Sequence, residues 1–176
     1  VLLIGAACFV MFLAEGAMLD WGAVFLDEAR GMDPARAGIG YVVFSLAMTG
    51  MRLAGDRLVA AAGRMRVVAG GAVLAAAGFA LATLVASPAA ALAGFALVGL
   101  GCANIVPVMF TLAGRQRAMP ESLAIPAVTT LGYAGVLAGP ALIGFLAHGT
   151  SLGFAFLCLA ASVLAVAVTP TWLRRV

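Results

Sequence analysis

Charge is scarce in this sequence, and one charged residue type is missing altogether. Only 10% of the 176 residues are charged, Lys is absent, and 65% of the residues are hydrophobic. A soluble domain is about half apolar and about a quarter charged. A chain this small cannot bury so much apolar surface within itself, so part of that surface must face lipid. The composition therefore excludes an ordinary soluble domain and indicates that the lipid bilayer is a partner.

The few polar residue types that support chemistry are also sparse. The three Cys residues all lie within apolar runs, and His148 is the only His. The sequence contains no Ser-His-Asp set, no metal-ligand spacing of Cys and His, and no GxxxxGK[ST] phosphate loop. An intramembrane enzyme would need such a set at matched depth. We therefore expect no enzyme activity, no metal site and no cofactor.

The net charge of +3 does not indicate a nucleic-acid surface. The Arg residues lie at the ends of apolar runs and do not form a stripe with interleaved aromatic residues. The sequence therefore predicts that nucleic acid is not a partner.

Six apolar runs fill the chain. Each is long enough to cross about 30 Å of hydrocarbon as a helix that rises ~1.5 Å per residue. The runs are too long and too irregularly spaced for barrel strands. The sequence predicts an all-α membrane protein, a single bundle over residues 1–176 with six transmembrane helices at about 2–25, 37–54, 67–85, 90–113, 123–147 and 152–169.

A basic stretch at residues 52–66, predicted as a loop, sets the orientation. Arg-rich short loops stay on the cytoplasmic side because their translocation is costly. With both termini cytoplasmic, only Arg30 and Arg36 lie outside. Inside are Arg52, Arg57, Arg64, Arg66, Arg115, Arg117, Arg174 and Arg175. This bias predicts a multi-pass protein of the plasma or inner membrane. On the outer side, Asp33 followed by Pro34 is typical of a helix start.

Glu15 lies near the middle of the first run. A carboxylate at this depth costs ~2.5 kcal/mol or more on insertion scales, and such groups usually face a bundle interior or an ion or substrate path. The alternative is a structural acid that is hydrogen-bonded to a neighbouring helix. Asp20, five residues later, points about 140° away around the helix and is interpreted as an interfacial residue beside Trp21.

Other polar residues recur on single helix faces. Two such sets are Ser45, Thr49 and Arg52, and Asn104, Pro107 and Thr111; a third is Thr129 with Tyr133. They could line an aqueous cavity or simply hydrogen-bond between helices. Asn104 is the stronger candidate for a cavity group, because Pro107 leaves a backbone carbonyl nearby without a partner.

The fifth run carries small residues on one side. Gly132, Gly135 and Gly139 would let a neighbouring helix approach closely, and Pro140 could kink the helix. We interpret this set as helix packing.

Together these features resemble one half of a major facilitator superfamily (MFS) transporter. Residues 52–58 and 63–66 look like the basic cytoplasmic loop between helices 8 and 9 of that family. The glycine–proline stretch at 135–144 is similar to a motif best known in its antiporters. Residues 15–21 and 104–110 look like helices 7 and 10 of a bacterial permease branch related in pattern to sugar permeases.

The resemblance implies the C-terminal half of a twelve-helix secondary transporter. A small-molecule substrate, with protons as a candidate coupling ion, would then move past Glu15, Asn104, Thr49 and Tyr133. The cytoplasmic gating loop would contain Arg52, Asp56, Arg57, Arg64 and Arg66.

One departure from the family pattern concerns the charges of this loop. The family loop has an acid three residues before its second Gly, where this chain has Ala60. The acid here is Asp56, so we expect Asp56 to pair locally with Arg52, one helical turn away.

The chain begins at Val1 and is already apolar there, so we expect a piece of a longer protein whose first six helices are the missing partner half. The alternative is a self-contained six-helix scaffold or interaction protein without transport activity. The substrate and the direction of transport stay open at this point.

Overall fold

The computed structural model describes residues 1–173 and is helical, with no strand in that part of the chain. Its helices are α1 (Leu2–Val24), α2 (Pro34–Ala37), α3 (Ile39–Leu53), α4 (Gly55–Ala62), α5 (Arg64–Leu84), α6 (Pro88–Cys102), α7 (Ile105–Arg115), α8 (Glu121–Gly149), α9 (Leu152–Val166) and α10 (Thr169–Leu173). A π-helical turn, Phe25–Ala29, extends α1. The predicted all-α membrane fold is confirmed.

Five of these helical segments are long and apolar enough to cross a membrane. They are Leu2–Ala29, Arg64–Leu84, Pro88–Arg115, Glu121–Gly149 and Leu152–Thr171. A sixth span is possible if the pair Pro34–Leu53 and Gly55–Ala62, bent by 58°, crosses as one. The described chain is thus a bundle of five or six spans.

Local sequence sets several helix ends. Asp33 accepts a hydrogen bond from the backbone N–H of Ala35 (2.9 Å), and Pro34 occupies the first helical position, so the predicted helix start is confirmed. Ser151 caps α9 in the same way, through the N–H of Phe154 (3.1 Å). These short-range contacts satisfy N–H groups that a helix start leaves open.

The basic stretch at residues 52–66 is not a loop, and that expectation was wrong. Most of it forms α4, because its run of Ala has a high helix propensity. Gly63, with φ of +83°, ends α4 and begins α5 without an intervening loop. The stretch is therefore a short helix that turns away from α3. Arg174 and Arg175 lie outside the described residues.

Small residues allow two close helix pairs. Gly71 of α5 faces Gly101 of α6, and Gly78 faces Gly94 one heptad further along; a Cβ on any of them would overlap the facing helix. In α8, Gly135 packs against the carbonyl of Phe9 in α1. Close backbone approach increases the dispersion contact that holds membrane helices together.

An aromatic cluster closes the opposite end of the bundle from α4. Phe156 of α9 stacks on Phe25 (4.9 Å between ring centroids) and meets Phe79 of α5 edge to face (5.5 Å). All three side chains are fully buried. Aromatic pairs in these geometries stabilise a core beyond the area that they bury. This packing ties α1, α5 and α9 together.

Candidate functional site

Three spans meet at one polar junction. Glu15 comes from the middle of α1, Arg52 from the last turn of α3, and Asn104 from the break between α6 and α7. Each residue stands in an otherwise apolar span, where polar groups are costly unless they find partners. We call this cluster the three-span junction.

The charges of the junction pair across helices. Arg52 Nη2 lies 3.6 Å from Glu15 Oε1, and this is the one ion pair found among residues 1–173. The Glu15 side chain is 18% exposed, the Arg52 side chain 45%. Glu15 Oε1 is buried and accepts no hydrogen bond from the described residues. The pair is a charge contact, with the carboxylate on the dry side and the guanidinium on the open side.

The expected local pair between Arg52 and Asp56 does not form. The chain bends by 58° between Leu53 and Gly55, so the two residues do not lie on one continuous helix face. Arg52 instead reaches across to α1, and Asp56 is exposed on α4. Spacing along the sequence indicated the wrong partner because it assumed a straight helix.

Arg52 has a second partner, which Pro107 makes available. In a continuous helix the N–H of residue 107 would donate to the carbonyl of Ala103, but Pro has no N–H. Arg52 Nε donates to that carbonyl oxygen at 3.1 Å. The guanidinium therefore satisfies a carbonyl that the proline leaves open, in addition to facing Glu15.

Asn104 makes the matching contact in the other direction. Its Nδ2 donates to the carbonyl of Met51 at 3.2 Å, in the last turn of α3 where the helix stops. The Asn104 side chain is buried, at 7% exposure. Gly55 lies so close to it that a Cβ there would overlap Asn104 Oδ1. Each helix break thus receives a hydrogen bond from a side chain of the other span, and the Met51 carbonyl also accepts from the N–H of Ala54 (3.2 Å).

A cavity of about 310 Å³ opens beside the junction. Its lining includes Arg52, Asp56, Arg64, Asn104 and Thr111. The structure therefore brings all three residues of the predicted face, Asn104, Pro107 and Thr111, together with three of the predicted gating residues. This volume is at the lower end of the range for small-molecule pockets.

The other three predicted path residues do not line this cavity: Glu15 is reached only through Arg52, and Thr49 and Tyr133 lie elsewhere. Tyr133 is 57% exposed and stacks on Phe12 of α1, with ring centroids 5.5 Å apart. Thr49 is exposed, one turn before Arg52 on α3. Neither lines the cavity. Both instead face outward from the described part of the bundle.

The predicted gating residues Arg57, Arg64 and Arg66 lie at the end of the bundle where the first cavity opens. Arg64 and Arg66 are the first and third residues of α5, and they line a second, open cavity there. Arg57 is exposed on α4. This end carries Arg on α3, α4 and α5, and we call it the Arg-rich end.

The glycines of α8 do not contribute equally. Gly132, Gly135 and Gly139 are all buried against α1. A Cβ at Gly132 would overlap the Phe12 ring and one at Gly135 the Phe9 carbonyl, whereas at Gly139 the nearest atom, the Leu13 carbonyl oxygen, would be 3.9 Å away. Pro140 is exposed, and α8 continues through it.

Sequence reasoning missed Arg30. Its guanidinium donates to the carbonyl oxygens of Ala82 (2.6 and 3.1 Å) and Thr83 (2.7 Å) and lies 4.6 Å from the centre of the Phe25 ring. It caps the end of α5, where carbonyls lack helical partners. No local signal marks this role, because the acceptors are more than fifty residues away. The paired glycines of α5 and α6, by contrast, could have been found from their seven-residue spacing.

The described residues hold no group of three or more His, Cys, Asp or Glu side chains that could bind a metal ion.

Comparison with known proteins finds three proteins that match nearly every residue of this chain. It is 54% identical over 175 residues to a Yersinia pestis protein named an uncharacterized MFS-type transporter, a match covering 99% of this chain and 46% of that protein. It is 34% identical over 174 residues to membrane protein MosC of Rhizobium meliloti, covering 99% and 43%. It is 33% identical over 173 residues to an uncharacterized transporter of Sinorhizobium fredii, covering 98% and 46%.

No protein-family model matches the chain. The chain spans less than half the length of these relatives. The similarity nevertheless covers nearly every residue of the chain, and two of the relatives are named as transporters. The predicted resemblance is confirmed: nearly all of the chain is similar to about half of a protein named an MFS-type transporter.

Proposed function

We propose that this chain is the C-terminal six-helix half of a secondary transporter that carries a small solute across the inner membrane. Relatives named as transporters, about twice as long, support the half-length assignment. The bundle of five or six apolar spans supports membrane insertion. The missing half would supply the rest of the binding surface.

The observation that carries the proposal is the three-span junction. A buried carboxylate facing a half-exposed guanidinium is expensive in a bilayer, and such groups mark substrate or ion paths. The junction also sits where two spans are broken. Broken helices near the middle of a bundle form substrate and ion sites in secondary transporters, and the two halves rock about such sites.

In this proposal Glu15 and Asn104 are the polar groups of the path. Thr49 and Tyr133 extend it on the exposed faces of α3 and α8, where the other half would cover them. Tyr133 stacked on Phe12 offers an aromatic surface to a solute, since an aromatic ring with a polar tip suits a wet cavity wall.

The Arg-rich end is assigned to the cytoplasm. Arg52, Arg57, Arg64 and Arg66 lie there with Asp56, and short segments rich in Arg remain on the cytoplasmic side. Both termini would then also be cytoplasmic. These charges would hold the cytoplasmic ends of the helices and bias the equilibrium between inward-open and outward-open states.

The test is uptake by the protein as its gene encodes it, reconstituted in vesicles with an imposed proton gradient, over a panel of sugars, organic acids and amphiphiles. Wild type is compared with Glu15→Gln, and with Asp20→Asn as the matched acid-to-amide control on the same helix. Uptake lost only in Glu15→Gln supports the path. Equal uptake in all three proteins removes Glu15 from the mechanism. If the proteins are shown to be folded and none of the solutes is taken up, the result favours a scaffold.

A further inference from the structure

The two helix breaks of the three-span junction cap each other. Arg52, at the end of α3, donates to the carbonyl of Ala103 at the end of α6 (3.1 Å). Asn104, the residue after Ala103, donates in the opposite direction, to the carbonyl oxygen of Met51 in the last turn of α3 (3.2 Å). Unpaired carbonyls are costly where water is excluded. The Ala103 carbonyl depends on Arg52 for its partner, whereas the Met51 carbonyl also accepts from the backbone N–H of Ala54 (3.2 Å) and gains a second donor from Asn104.

The position of Arg52 depends on this exchange. Its guanidinium contacts the Glu15 carboxylate only at 3.6 Å, beyond hydrogen-bond distance, while its Nε makes a proper hydrogen bond to Ala103. The bond to Ala103 therefore holds the side chain in direction, and the charge of Glu15 acts on a group that is already placed. The open carbonyl itself exists because residue 107 is a proline.

We propose that Pro107 and Asn104 are positioning residues for Arg52: Pro107 keeps the Ala103 carbonyl free to anchor the guanidinium, and Asn104 holds the end of α3 at the height where Arg52 faces Glu15. Neither residue donates a hydrogen bond to Glu15 Oε1. The inference rests on the proposed function only for its transport readout, because anchoring and fold are measured independently.

Exchange of Pro107 for Ala gives a specific test. Alanine supplies the missing N–H, so the helix can satisfy Ala103 by itself. Pro107 is exposed, so its removal disturbs little packing. Arg52→Met, whose side chain has a similar length but no donor, should leave the Ala103 carbonyl without its partner and loosen the junction. Arg52→Met combined with Pro107→Ala should restore it, because the backbone N–H then takes the place of the guanidinium.

Cys102 provides a native reporter of the junction. It is the last residue of α6, fully buried, and directly precedes Ala103. Its alkylation by a membrane-permeant maleimide measures how often the break opens, and Cys158 of α9 serves as the internal reference in the same sample. We expect Arg52→Met and Asn104→Ala to raise the rate at Cys102 at least about tenfold relative to Cys158.

The matched controls are present in the chain. Pro126→Ala replaces an exposed proline inside α8, away from the junction along the chain, and should not rescue Arg52→Met. Leu53→Ala alters the residue next to Arg52; the Leu53 side chain is 85% exposed, and the change should leave the rate at Cys102 unchanged. Asn104→Leu keeps the size of the side chain but cannot donate, and should behave like Asn104→Ala.

The result that supports the proposal is rescue of the Cys102 rate and of the melting temperature by Pro107→Ala but not by Pro126→Ala. A double variant as reactive as Arg52→Met would overturn it. In the transport assay the rescued double variant should stay inactive, because Glu15 still lacks its cation; recovered transport would show that Arg52 acts only as a cap. If wild type transports nothing, the proposed function fails while the alkylation result still decides this inference.

Discussion

Gly71 of α5 and Gly101 of α6 face each other so closely that a Cβ on either would overlap the carbonyl oxygen of the other. Gly78 and Gly94 repeat the arrangement one heptad along the antiparallel pair. In a bilayer, where the hydrophobic effect does not drive helices together, such backbone proximity is a main source of association. The helices α5 and α6 are thus closely packed next to the three-span junction.

Gly101→Val should destabilise the protein by about 1–3 kcal/mol, because the added side chain meets backbone atoms that cannot move aside. The measurement is unfolding in mixed micelles at increasing SDS fraction. Gly70→Val is the control, since a Cβ at Gly70 meets nothing within 4 Å. Equal midpoints for the two variants would contradict the close packing.

Gly135 and Gly139 of α8 should contribute unequally to stability. Gly135→Ala forces a Cβ onto the Phe9 carbonyl and should cost about 1–3 kcal/mol. Gly139→Ala places its Cβ 3.9 Å from the nearest atom, an ordinary contact, and should be close to neutral. Thermal denaturation of the two single variants decides this, and similar losses in both would show that α1 and α8 pack in a different register.

Glu15 and Arg52 should be energetically coupled. Either single change to Gln leaves one charge without its partner, whereas the double change removes both, so the three variants should be non-additive by about 0.5–3 kcal/mol. Any change in the hydrogen bond to the Ala103 carbonyl is common to both Arg52 variants and cancels in the cycle. Unfolding midpoints of wild type, Glu15→Gln, Arg52→Gln and the double variant give the coupling; additivity would mean that the 3.6 Å contact has no energetic weight.

A lysine at position 30 should not preserve the stability that Arg30 provides. The guanidinium donates to two carbonyl oxygens at the end of α5 while lying over Phe25, and an ammonium group cannot reproduce that fork. We expect a loss of about 1–3 kcal/mol for Arg30→Lys and for Arg30→Ala, from carbonyls left unsatisfied. Arg36→Lys, an exposed position on α2, is the control. Full stability of Arg30→Lys would reduce the interaction to one of charge alone.

Much of the fold could be predicted because its causes are local. A helix in a membrane needs only a sufficient length of apolar residues, and the Asp33–Pro34 start depends on atoms two residues apart. The junction could be predicted in part: Glu15 and Asn104 were recognisable as polar groups in apolar runs, and Pro107 as a source of a free carbonyl. The partner of Arg52 was predicted wrongly, because the prediction assumed a straight helix and the chain bends by 58° after Leu53, where Gly55 packs against Asn104.

The sequence by itself determined the class of the protein, its apolar spans and the segregation of Arg to one end, since these follow from residue type, spacing and the cost of moving charge through lipid. Only the tertiary structure decided that Arg52 reaches Glu15 and Ala103, that Arg30 caps α5, and that Gly135 contacts backbone while Gly139 does not. These contacts join segments far apart in the chain. They depend on how each helix is rotated about its axis and where it crosses its neighbours, and no periodicity within a single helix contains that information.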